Sequence, residues 1–172
     1  MSTPLYIEEQ RFRQPWVWIG IALSIVGLLP LWHGLYQQLG EGIPWGDNPT
    51  SDTVLIVVVA GMTLLILGIM IMLLNARLVI SITRDQIGYR FRPFHRREHV
   101  IRWDEVAKAE IRSYRPIMEY GGWGIRIGAG GRAYNVSGTD GLQLELKDGR
   151  KVLFGTQKPH ELGAVVQQIG VR

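Results

Sequence analysis

His95 and His99 stand four residues apart, a spacing that on a helix could hold a metal ion, but Arg90, Arg92, Arg96 and Arg97 crowd the same stretch. Repulsion from those guanidinium groups disfavours a bound cation, so the imidazoles read as a solvated pair and no metal site is expected. The four arginines and two histidines make the densest basic patch in the chain. Two readings stand side by side. One is contact with anionic phospholipid headgroups, where each well-placed cation near a charged leaflet is worth about 1 kcal/mol. The other is a solvated strand face. Nucleic acid would also attract such a patch, but no nucleic-acid motif accompanies it.

Other groupings carry less chemistry. Asp104 and Glu105 are adjacent, so their side chains point apart, and with no nucleophile nearby they suit a turn or the start of a short helix. The glycines of residues 121–138 lack the G-x-x-x-x-G-K-[ST] pattern of a phosphate loop and read as hairpin turns and close backbone packing. Residues 112–124 set Tyr114, Met118, Tyr120 and Trp123 amid charge, a composition common at protein contacts. Those four are candidate partner-contact residues, the alternative being a loop folded over the end of the domain. The absence of cysteine excludes disulfides, thiolate metal sites and a cysteine nucleophile. No catalytic residue and no cofactor is expected.

The elements that must position these residues fall into two parts. Residues 54–74 form twenty-one positions without a charge, with Thr63 as the one hydroxyl side chain. As a helix they reach ~31 Å, the thickness of a bilayer's hydrocarbon core. A second apolar stretch, residues 16–36, is opened by Pro15 and interrupted by Pro30. Trp16 and Trp18 at one end and Trp32 and Tyr36 at the other suit the two headgroup levels, and His33 reads as an interfacial, solvated histidine. The linker, residues 37–53, contains Glu41, Asp47 and Asp52 but no Lys or Arg, whereas Arg11, Arg13, Arg77 and Arg84 flank the two spans. The positive-inside rule then puts both termini in the cytoplasm. Residues 1–15 read as a polar cytoplasmic segment without the features of a signal peptide. Net charge is +4, and seventeen of the nineteen Lys and Arg lie from Arg77 onward, so the polar part is distinctly basic.

From residue 76 the pattern alternates, as in strands with one buried face. Leu78, Ile80 and Ile82 alternate, then Ile87, Tyr89 and Phe91; Ala107, Ala109 and Ile111 are expected to face one way. Trp123, Ile125 and Ile127 open a hairpin turning at Gly130-Gly131, and Asp148-Gly149 turns another between Leu146 and Val152. Leu162, Val165, Val166 and Ile169 form the apolar stripe of a closing helix. Seven or eight short strands and one helix in about 95 residues are expected to curl into a small barrel capped by that helix. The strand order, IRWDEV (residues 101–106), VLFGTQKP (residues 152–159) and the terminal helix resemble the bacterial pleckstrin-homology-like domains of small membrane proteins, where a two-helix hairpin precedes such a domain. The resemblance implies a membrane-attached binding or assembly module.

The expected architecture is therefore a membrane α-helical hairpin followed by an all-β, mainly antiparallel, pleckstrin-homology-like barrel with a C-terminal α-helix, in a bacterial inner membrane. Its expected role is non-catalytic binding or assembly, with the lipid bilayer and either a second copy or another membrane protein as partner. An accessory subunit of a larger membrane complex is the alternative. A membrane enzyme on a lipid or small solute has least support, because no grouping of His, Asp and Ser has the right spacing.

Overall fold

The computed structural model describes residues 3–128 and 130–170. The chain divides into two units. One is Arg13–Leu74; the other joins the residues up to Phe12 to those from Asn75 onward.

The first unit is helical. Pro15 occupies the first turn of α1 (Pro15–Gly40), where its missing N–H is not needed, and the helix runs on through Pro30. α2 (Asp52–Asn75) starts with an acidic side chain in its first turn, favourable to the helix dipole. Both helices are long and apolar enough to cross a bilayer, and only 6% and 11% of their most apolar windows are buried, which is not the burial of a soluble protein's core helix. In α2 the buried and half-buried positions form a narrow stripe, Leu55, Val59, Thr63, Ile66, Met70 and Leu73. That four-and-three spacing is a helix-packing seam. Thr63 Oγ1 donates to the Val59 carbonyl at 2.7 Å and accepts from Trp32 Nε1 of α1 at 3.2 Å. This corrects one expectation. Trp32 faces the middle of α2 and not a headgroup level. At the linker end, Gln38 Nε2 donates to the Thr50 carbonyl and to Asp52, and the Trp45 ring lies over Gly34, where an added Cβ would collide with it.

The second unit holds two sheets. The first orders its strands β1 (Tyr6–Arg11), β2 (Arg77–Ile82), β3 (Gln86–Arg92) and β4 (His99–Arg102), all antiparallel. A 3-10 turn, Trp103–Glu105, which contains the expected short helical start at Asp104 and Glu105, leads to the second sheet. Its strands are β5 (Val106–Ser113), β6 (Gly124–Gly128), β7 (Gly131–Asn135), β8 (Asp140–Leu146) and β9 (Lys151–Thr156), in the spatial order β5-β8-β9-β7-β6. β7 and β9 run parallel; the other pairs are antiparallel. A five-residue helix α3 (Pro116–Tyr120) follows β5, and α4 (Pro159–Ile169) closes the chain.

The core lies between the sheets and under α4. Leu78, Ile80, Ile82, Ile87 and Phe91 of the first sheet meet Leu142, Leu144, Val152 and Phe154 of the second, with Leu162 and Val166 of α4. A bulge between Val106 and Lys108 rephases β5. It buries Val106 and Ala109 and leaves Ala107 exposed, contrary to the simple alternation. Gly131 and Gly149 supply the positive φ that their turns require, 93° and 85°.

Residues 6–11 do not form a separate polar segment. They are the edge strand β1, paired with β2 from Tyr6↔Ile82 to Arg11↔Arg77. Its buried face is polar: Glu8 accepts from Tyr6 Oη, from Thr156 Oγ1 at 2.7 Å and from the Gln157 N–H at 2.7 Å, and Gln10 Nε2 donates to the Gly155 carbonyl at 2.6 Å. These bonds tie the first strand to the end of β9.

Candidate functional site

Strand register brings three arginines into one line. Arg11 on β1 lies opposite Arg77 on β2, and Arg77 lies opposite Arg92 on β3. Directly opposed residues share a sheet face, and like charges so placed are destabilising. One carboxylate relieves the row: Glu9 Oε1 lies 2.6 Å from Arg11 and 3.9 Å from Arg77. The line sits at the end of the sheet where the chain leaves for α1, four residues after Arg11, and returns from α2, two residues before Arg77. Arg84, expected to flank the second span with them, is in the β2–β3 turn at the opposite end of the sheet.

The β3–β4 connection, residues 93–98, belongs to the same end. Arg90, one of the expected contact residues, is half-buried and braces it. Its Nη2 donates to the Arg96 carbonyl at 2.6 Å and its Nε to the His95 carbonyl at 3.3 Å. His95 N–H donates to the Phe91 carbonyl, and Phe91 N–H donates to His95 Nδ1 at 3.3 Å. Arg92, Arg96 and Arg97 are exposed, and none makes an ion pair with any described residue. Phe94 projects beside them, 58% exposed. The loop is thus a braced platform carrying two free guanidinium groups and one apolar ring.

Behind the platform is an aromatic cluster that sequence reading did not assemble. His99 stacks on Tyr89 with centroids 5.4 Å apart, Tyr89 packs on Tyr134 and Phe154 at 4.8 and 4.9 Å, and His95 lies 4.3 Å from His99. Burial, then the neighbouring His99 and Arg132, hold the His95 imidazole below its usual range. The four-residue spacing of the histidines arises from a hairpin and not from a helix. Among the described residues no group of three or more His, Asp or Glu could hold a metal ion.

The expected contact loop, residues 112–124, divides. Tyr114 and Tyr120 are buried and form a small core with Ala133 and Leu153, so they are not available for contact. Burial pushes the Tyr114 hydroxyl up to about 12, against a hydrogen bond from Asn135 Nδ2 at 2.9 Å. Met118, 79% exposed, does face outward, beside Ile117 at 64%; Trp123 is half-buried, its Nε1 donating to the Gly138 carbonyl. Arg112 fastens α3 to the sheet through Glu119, at 2.8 Å, and Gln143.

No protein-family model, curated protein or solved structure matches this chain.

Proposed function

We propose that this protein is a membrane-anchored, non-catalytic binding module. In this reading α1 and α2 span the bacterial inner membrane, and the β unit is a pleckstrin-homology-like domain on the cytoplasmic face. Its arginine end rests on anionic headgroups. The observation that carries the reading is the in-register line Arg11, Arg77 and Arg92, with Arg96 and Arg97 on the adjoining loop. Three guanidinium groups in line across a sheet share the single carboxylate of Glu9, and an anionic leaflet supplies the further counter-charge. The helices support the anchor. Leu23, Leu64 and Leu65 each expose more than 60% of their surface, which water would penalise and lipid would not.

The test uses the full chain, which has no native cysteine. With Phe94→Cys carrying an environment-sensitive fluorophore, the chain is placed in nanodiscs of phosphatidylcholine with or without phosphatidylglycerol. Emission should shift to the blue only with phosphatidylglycerol, and high salt should reverse the shift, since screening acts beyond ~8 Å at physiological ionic strength. Arg96→Glu with Arg97→Glu should abolish it. Identical emission in both lipids would reject headgroup contact.

The exposed pair Ile117 and Met118 favours a second reading, an accessory subunit whose partner docks on α3. Stoichiometric copurification after gentle detergent extraction, lost in Met118→Asp, would distinguish it.

A further inference from the structure

β4 is one edge strand of the first sheet and β6 one edge strand of the second. Between them and the start of β9 lies a cleft of about 750 Å³, within the size range of small-molecule sites. Its floor is aromatic, with Tyr134 stacked on Phe154 and Tyr89 carrying His99. Its charged lining is Arg132, Arg150 and Lys151 against one carboxyl, Glu105. Arg150 is held by Asp148 at 2.6 Å and Lys151 by Glu145 at 2.7 Å. Arg132 is different. It makes no ion pair with a described residue, and its one hydrogen bond runs from Nη1 to Tyr134 Oη at 3.5 Å. Its planar fork of N–H donors therefore faces the cleft largely unused, in the geometry that takes an oxyanion bidentately. Val100 and Ile127, 46% and 76% exposed, offer apolar contact on the two edges.

We propose that this cleft binds a small phosphate monoester, its phosphoryl group on Arg132 and its organic part between Val100 and Ile127. With Arg150 and Lys151 held by Asp148 and Glu145, Arg132 is the cation of the cleft whose fork is open to two phosphoryl oxygens, and the edges suit an apolar substituent. The site is separate from the arginine line and does not depend on it. The monoester is either a soluble metabolite or the headgroup of phosphatidic acid, and the two sources share the chemistry.

Phenyl phosphate is the probe, titrated into the full chain in phosphatidylcholine nanodiscs while thermal stability is followed. The melting temperature should rise saturably, as for any ligand of the folded state, and phenol should have no effect. Arg132→Gln should weaken the apparent affinity at least tenfold, whereas Arg96→Gln should leave it unchanged. Ile127→Asp, which keeps Arg132, should also weaken it. No saturable rise in the native chain, or equal affinity in Arg132→Gln, would overturn the proposal. Repeating the titration with phosphatidic acid in the nanodisc identifies the source: weaker phenyl phosphate binding assigns the cleft to the headgroup, and unchanged binding assigns it to a soluble ester.

Discussion

Glu8 is 5% exposed, makes no ion pair with any described residue, and is satisfied by three donated hydrogen bonds. Nothing in its sequence neighbourhood marks it for burial, because Ile7 beside it is 60% exposed and the polar residues Glu8 and Gln10 turn inward. The strand's polarity is inverted. That inversion is why the basic patch was legible and β1 was not: exposed arginines can be read by type, whereas a buried carboxyl is read only once its partners, 148 and 149 residues away, are known. Tyr114 and Tyr120 escaped for the same reason, since aromaticity does not say which way a side chain turns. His95 gives a test at this scale. Its folded-state affinity for a proton is lowered, so the unfolded chain takes up the proton first on acidification. Stability from this group is intact above its ordinary value of 6.5 and falls as pH drops below it towards the lowered one. Melting of detergent-solubilised native chain should therefore decline more steeply below about pH 6.5 than that of His95→Gln; parallel profiles would remove His95 from the account.

Among the elements, α4 was read most directly, because an apolar stripe at helical spacing has one structural solution. Leu162 and Val166 are buried and Gln167 is exposed, as the stripe requires. Val166→Asp should cost several kcal/mol, a large share of the ~5–15 kcal/mol of a typical domain, while Gln167→Asp should be nearly silent. Thermal unfolding of the two full-length variants in one detergent checks this, and equal melting temperatures would detach α4 from the core. The hairpins β2–β3 and β8–β9 were also legible, through alternation and the Asp148-Gly149 turn. The parallel pairing of β7 with β9 was not, since it joins segments separated by β8 and carries no local turn signal. The expected strands are present as two mostly antiparallel sheets with α4 as the terminal helix.

At the scale of the whole molecule, connectivity constrains the proposed orientation. β1 and β2 belong to one sheet, so with both helices across a bilayer the segments before α1 and after α2 must share a side. In the proposed reading arginine enrichment assigns that side to the cytoplasm. A cysteine placed at Asn48, in the linker, should react with an impermeant maleimide in whole cells; one at Ser137 should react only after permeabilisation. The reverse pattern would place the β unit outside.

The pairing of Arg11 with Arg77 makes the two-helix segment the loop of a β-hairpin, 65 residues long. Closing a flexible loop costs more as it lengthens, by roughly 0.6 kcal/mol per doubling. An inserted pair of antiparallel helices removes much of that cost by holding the two ends together before the strands meet. With both helices across a bilayer, as proposed, β1 has no neighbour until both are inserted. A chain that inserted one helix and not the other would leave β1 and β2 on opposite sides of the membrane, with the sheet unfinished and the polar face of Glu8 and Gln10 unpartnered. Completion of the sheet would then depend on insertion of both helices, and its failure would leave an open strand edge.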